Sequence, residues 1–167
     1  MCAETLEIQG DPSSMLANKF QPIQKNLFVF VIDGIDAFMM KTAARPQKTF
    51  EEITIDWLNQ KRFLAAKSTW NPLNVTLYDP VSPSASQQVM EWIRLAHEDV
   101  TGRAGYAEMY KRNVEIKMVD PMGTVVQHWI LEGCWVQDAN WGDMDYADGA
   151  PVEIALTLRF DRSILQF

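Results

Sequence analysis

The chain has 167 residues, 47% of them hydrophobic and 22% charged, with a formal net charge of −7. That is length enough for one domain with its own core, and the composition is neither that of a disordered chain nor that of a membrane-spanning one. The acidic balance argues against a protein that grips nucleic acid, because affinity for phosphates rests on Lys and Arg.

No apolar run approaches the ~18–20 residues that cross a bilayer as a helix. The opening MCAETLEIQGDPSS has neither the basic region nor the apolar core of a secretory signal, so the chain is expected to be made and kept in a cytosol.

Residues Met1–Pro12 read as a flexible arm, and residues 13–167 as one domain. Ser13 or Ser14 caps a short helical turn, SMLANKF, that ends before Pro22. Asn26–Asp33 (NLFVFVID) is apolar on both faces and reads as a strand covered on both sides. Ala37–Ala43 continues the sheet after a turn at Asp33–Asp36, and Arg45-Pro46 opens a polar loop.

Thr49–Trp57 alternates, with Ile53, Ile55 and Trp57 on one face and Glu52, Thr54 and Asp56 on the other. Leu58–Asn71 reads as a connecting segment with a basic patch at Lys61, Arg62 and Lys67. Leu73–Tyr78 is a strand with Leu73, Val75 and Leu77 inward, stopped by Asp79-Pro80 and Ser82-Pro83. One clear helix follows from Ser84 to Val100. Ser84 and Gln87 stand at capping-box spacing, and Val89, Trp92, Ile93, Ala96 and Val100 fall on one face. Gly102 and Gly105 close it. Strands are expected at Val114–Val119, Val125–Val136 and Val152–Phe160, separated by a turn at Asp120–Gly123 and an acidic loop, Asp138–Asp148. About seven strands and one helix without βαβ alternation indicate a mainly β fold, an antiparallel β-sandwich or barrel with one flanking α-helix.

The residues that carry chemistry elsewhere are scattered here. His97 sits at the helix end and His128 in a strand, and neither has zinc-ligand spacing. The acidic loop lacks the order of a calcium-binding loop, and no serine lies in a nucleophile elbow. No catalytic, cofactor-binding or metal-ligating residue is assigned, and the chain is not read as an enzyme. Cys134 reads as a small buried hydrophobe; Cys2 lies on the arm, and a disulfide between them across subunits is the other use open to them. Of six tryptophans, Trp70 and Trp141 are placed in loops, where large aromatics anchor subunit contacts as readily as they fill a core.

Taken in order, NLFVFVID, DAFMMKTAARP, LNVTLYDPVSPSASQQVMEWIRLA and LEGCWVQDANWGDMDYADGAPVEIALTLRFDR resemble the tail tube proteins of contractile-tailed bacteriophages, of the T4-like type. The resemblance covers about Ser13 to Arg162, and order and spacing carry it rather than any single motif. The arm Met1–Pro12 departs from the shortest members. The resemblance implies hexameric rings that stack into a hollow tube inside a sheath. Its partners would be copies of itself, the tail sheath protein, a baseplate tube initiator, a tail terminator, and in the lumen a tape measure protein and viral DNA. It would lie in the virion tail, assembled in the host cytoplasm.

The polar parity of the strands supplies Glu52, Asp56, Glu115, Glu132 and Glu153 against Lys117 and Arg159. If those faces line the lumen, DNA is repelled from the wall and slides. Arg45 through Trp70 is the candidate inter-ring segment, with Lys61, Arg62 and Lys67 meeting acidic residues of the next ring. The alternatives are the tube of a bacteriocin or injection apparatus, a tube-initiating baseplate protein, and a small barrel that holds an apolar ligand among Trp and Met side chains.

Overall fold

The computed structural model describes residues 21–166. The arm, Cys2 and the expected helical turn before Pro22 lie outside the described residues. Eleven strands are present among the described residues. Strand β1 (Phe28–Ile32) leads through a single 3-10 turn (Ala37–Met39) into β2 (Met40–Ala43). Then come β3 (Lys48–Trp57), β4 (Gln60–Trp70) and β5 (Leu73–Tyr78). Helix α1 (Ala85–Ala96) follows, with a small ribbon of β6 (His97–Glu98) and β7 (Arg103–Ala104) and a one-turn helix α2 (Ala107–Tyr110). The chain continues through β8 (Arg112–Val119), β9 (Val125–Asn140), β10 (Glu153–Arg159) and β11 (Arg162–Leu165).

All the strand pairings are antiparallel. One path runs β1-β8-β9-β10-β5-β2, with β11 added beside β9. Strand β9 serves two layers. Its first part pairs with β8 and with β11, while Trp135–Asn140 pairs with β10. The bend between the two parts falls at Gly133, whose φ of 67° suits glycine. Between the pairs Val114–Leu131 and Arg112–Cys134 the register gains one residue on β9, so a bulge turns the strand. A Cβ at Gly133 would stand 2.3 Å from Asp161 Oδ2, whose carboxylate accepts from Lys111 Nζ at 2.6 Å.

The space between the layers is the core. Phe30, Ile32, Val114, Ile116 and Leu131 come from one layer, and Leu73, Val75, Leu77, Ile154, Leu156 and Leu158 from the other. Ala85, Val89 and Trp92 of α1 complete it. The alternation seen in the sequence of β5 therefore decides its inner face.

Four expectations are corrected. The segment after Leu58 is a strand, β4, paired along its length with β3. Helix α1 stops at Ala96 because His97 takes extended geometry and the β6–β7 pairs replace the helical bonds, so Val100 is 91% exposed instead of lying on the buried face. Strand β9 runs on to Asn140, so the first residues of the acidic loop pair with β10. Strand β1 is covered on one face only, with Phe30 and Ile32 buried and Val29 and Val31 exposed. Beyond these, β11 adds a strand after the point where the last one was expected to end.

The start of α1 is fixed from outside the helix. Asp79 Oδ1 accepts from the backbone N–H of Ala85 at 2.9 Å and of Ser86 at 3.3 Å, and Ser86 Oγ donates to its other oxygen. Ser84 Oγ accepts from Gln87 N, the half of the expected capping box that forms. Partial burial raises the Asp79 pKa, but the hydrogen bonds from Ser86, Ser84 and Ala85 outweigh it and leave the carboxyl below its usual 3.8. A depressed carboxyl contributes stability above its unfolded pKa that is lost as pH falls through the folded one. Asp79→Ala is expected to lower the unfolding free energy by about 1–2 kcal/mol near neutral pH, with the gap to wild type narrowing below about pH 4. Urea unfolding of both proteins at the two pH values measures it.

Candidate functional site

Strands β3 and β4 stand apart from the rest of the fold. They hydrogen-bond to each other and to no other strand, over ten and eleven residues, and every residue of β3 is exposed. Register places Ile53 opposite Leu64, Ile55 opposite Arg62 and Trp57 opposite Gln60. Because directly opposed residues share a face, Ile53, Leu64, Ile55 and Trp57 form an apolar stripe beside the Arg62 guanidinium. Trp57 is 74% exposed and Leu58 at the tip 92%. Leu58 also holds a φ of 50°, a left-handed conformation that costs a non-glycine residue about 1 kcal/mol.

The other face carries Glu52, Thr54 and Asp56, with Lys61 Nζ 3.9 Å from Asp56. The alternation of Ile53, Ile55 and Trp57 is present, but its apolar side does not meet the core. An isolated two-stranded ribbon is marginally stable in water, and a stripe of this kind marks a contact surface.

The root of the ribbon is clamped. Trp70, at the end of β4 rather than in a loop, packs half-buried on the core with its ring 5.8 Å from that of Phe160. Lys48 Nζ lies 5.1 Å from the Trp70 ring centre, and Asn71 N donates to Gln47 O at 2.8 Å. Trp141 is also half-buried against the core. Lys61 and Arg62 are exposed on the outer half of β4, and Lys67 stands nearer the root.

The structure does not gather the five candidate lumen carboxylates on one face. Glu52 and Asp56 are on the ribbon. Glu115 and Glu132 are on the outward face of the layer that contains β8, and Glu153 opens β10 in the other layer. Most are matched by cations: Glu115 by Lys117 at 2.6 Å, Glu132 by Arg162 at 2.6 Å, and Glu153 by Lys41, while His128 Nε2 stands 3.3 Å from Glu115. The hydrogen bond from Lys117 holds the Glu115 carboxyl below its usual range against the opposing effect of burial. Each pair offsets the field that its carboxylate alone would set up.

Burial, with Asp161 adding to it, pushes the Cys134 thiol up to about 12, so it is a quiet apolar group rather than a nucleophile. Among the described residues no three His, Cys, Asp or Glu side chains gather to hold a metal, and no helix is long and apolar enough to cross a membrane.

Several solved structures share this architecture. A chain of the PVC sheath/tube terminator from an extracellular contractile injection system aligns with a TM-score of 0.69 at 17% identity, over 89% of this chain and 99% of that one. The chain's fold is that of contractile tail tube-like proteins. A chain of the PVC sheath-tube complex aligns at 0.66 with 17% identity, over 94% and 98%. One of the anti-feeding prophage baseplate aligns at 0.67 with 15%, over 87% and 96%. No family model matches the chain, and no curated protein is similar to it in sequence. The tube-like fold implied by the sequence resemblance is therefore found in the structure.

Removal of the clamp at the ribbon root should be felt in the body. Trp70→Ala is expected to lower the unfolding free energy by about 2 kcal/mol, below the cost of a fully buried aromatic because Trp70 is half-buried. Chemical unfolding followed by circular dichroism tests this.

Proposed function

We propose that the chain is the inner-tube subunit of a contractile tail, assembled as homohexameric rings that stack head to tail within a sheath. The observation that carries this is the β3–β4 ribbon: a long, body-independent hairpin with an apolar stripe and a strained apolar tip, on a fold shared with parts of contractile injection systems. The stripe needs a second chain to cover it. Three sheet edges support the same reading, because β1, β2 and β11 each pair on one side only among the described residues. Closing a ring uses such edges, which otherwise invite uncontrolled pairing.

In this reading Lys61, Arg62, Lys67, Trp70 and Trp141 stand at contacts between subunits, and Glu52, Asp56, Glu115, Glu132 and Glu153 contribute to the lumen wall. In a bacteriophage the lumen would pass viral DNA, with the tape measure protein held there before ejection. The sheath, a baseplate initiator and a terminator would be its other partners, and the virion tail its location. A second reading places the chain in an injection apparatus as tube, cap or initiator, and the likeness to the PVC and anti-feeding prophage structures favours it.

Negative-stain electron microscopy of the purified protein should show rings and hollow rods; a strict monomer at all concentrations contradicts the proposal. Arg62→Glu with Lys67→Glu should leave rings and abolish long tubes. Neutralising Glu52, Asp56 and Glu153 together should leave tubes intact but slow DNA passage, and unchanged passage removes these residues from the wall.

A further inference from the structure

Two Asp-Gly steps occur in the chain, Asp33-Gly34 and Asp148-Gly149. A step of this kind can close on itself. Glycine has no Cβ to shield its backbone nitrogen, and it lets the main chain bend until that nitrogen reaches the preceding carboxyl carbon. Both steps are exposed, so access to water does not distinguish them. The frames that hold them do.

Asp33-Gly34 is locked. It forms the middle of a tight turn between Ile32 and Ile35, which are bridged and both buried, with Ile35 N donating to Ile32 O at 3.1 Å. Gly34 holds a φ of 84°, and Arg112 Nη1 stands 2.7 Å from the place its Cβ would take while donating to the Asp33 carbonyl oxygen. The guanidinium is seated in turn over Trp92, 5.0 Å from the ring centre. Rotating the Asp33–Gly34 peptide would break the Arg112 bond and pull on two core side chains.

Asp148-Gly149 has no such frame. Among the described residues, nothing beyond its chain neighbours comes within 4 Å of the place a Gly149 Cβ would take. Asp148 Oδ1 accepts from Ala150 N at 3.0 Å, a contact that curls the carboxyl back over the Gly149 peptide. The ends of the loop are fixed instead. Asn140 pairs with Ala155 and accepts from Gly142 N at 2.9 Å, and Val152 O accepts from Asp79 N at 3.1 Å. A change at Asp148 is thereby confined to the loop.

We propose that Asp148 is a site of spontaneous isoaspartate formation, a covalent modification that Asp33 escapes. In the first step the Gly149 nitrogen attacks Asp148 Cγ. The nitrogen loses its proton, the un-ionised carboxyl loses its hydroxyl, and the two depart as water, leaving a cyclic succinimide. Water then adds to either ring carbonyl. Opening at one restores aspartate; opening at the other leaves the main chain running through Cβ and Cγ, with no net change in mass. The product keeps its carboxylate but lengthens the backbone of the loop by one atom. Methyltransferases that recognise isoaspartyl carboxylates would accept it, so the chain carries a chemical record of its age.

Peptide mapping of the full chain after long incubation at mildly acidic pH tests it, with an isoaspartyl methyltransferase and a labelled methyl donor as the probe. Isoaspartate should build up at least ~tenfold faster at Asp148 than at Asp33, because only the second is held by a turn that must open first. In urea, where neither frame survives, the two rates should agree within about threefold, since both glycines then have the same freedom. Gly149→Ala should slow the reaction in the folded chain at least ~fivefold by shielding the nitrogen, and an unchanged thermal melt confirms that this variant folds. No label at Asp148, equal rates at the two steps in the folded chain, or a faster rate at Asp33 each overturns the proposal. An Asp33 that stays slow in urea overturns it as well, because the difference then lies in neighbouring residues and not in the turn.

Discussion

Everything in this fold hangs from the bend in β9. A single strand of sixteen residues gives its first part to one layer and its last six residues to the other. The two layers are thereby covalently continuous at one corner, and their apolar faces are brought together without a long connection. Gly133 makes the bend affordable because its backbone φ is one that side chains disfavour and because Asp161 occupies the space a Cβ would take. From that corner follow the placement of β10 against β9, of β5 against β10, and of the helix over the layer interior. The ribbon's root depends on it too, since Phe160, which meets Trp70, lies one residue past β10.

The outward surfaces follow a different rule from the core. Inside, buried side chains come from both layers and the helix in one cluster. Outside, charges are matched locally: Glu115 with Lys117, Glu132 with Arg162, Glu153 with Lys41. Surface pairs of this kind add little stability, but they level the potential across a sheet face. The unmatched field inferred from sequence parity alone would be stronger than the one these pairs leave.

The sequence disclosed much of this and misled in instructive places. Alternation made β5 and β8 legible, and the helix with its Ser84 cap was visible from spacing. The second half of the ribbon was not. Strand β4 reads Gln-Lys-Arg-Phe-Leu-Ala-Ala-Lys-Ser-Thr-Trp, with few β-branched residues and no sustained alternation, and it is a strand because β3 pairs with it. Strand β3 was legible as a strand but not as an exposed one, because period-two patterning reports that one face is apolar and not what covers that face. The corner after α1 was hidden for a related reason. Val100 keeps helical phase with Trp92 and Ile93, yet the chain leaves the helix at His97, where the β6–β7 pairs take over. His128 and Glu115, thirteen positions apart, meet only because β8 and β9 pair.

The left-handed backbone at Leu58 has a kinetic side. A ribbon that is marginal alone and carries a strained, apolar tip must surrender conformational entropy when a surface fixes it. Part of the energy gained on contact is consumed in that ordering, so each contact holds less tightly than its apolar area suggests. In the assembly proposed for this chain, a subunit that lands askew would leave before the next one buries it. The strained tip of a hairpin would in this way become fidelity in the proposed polymer.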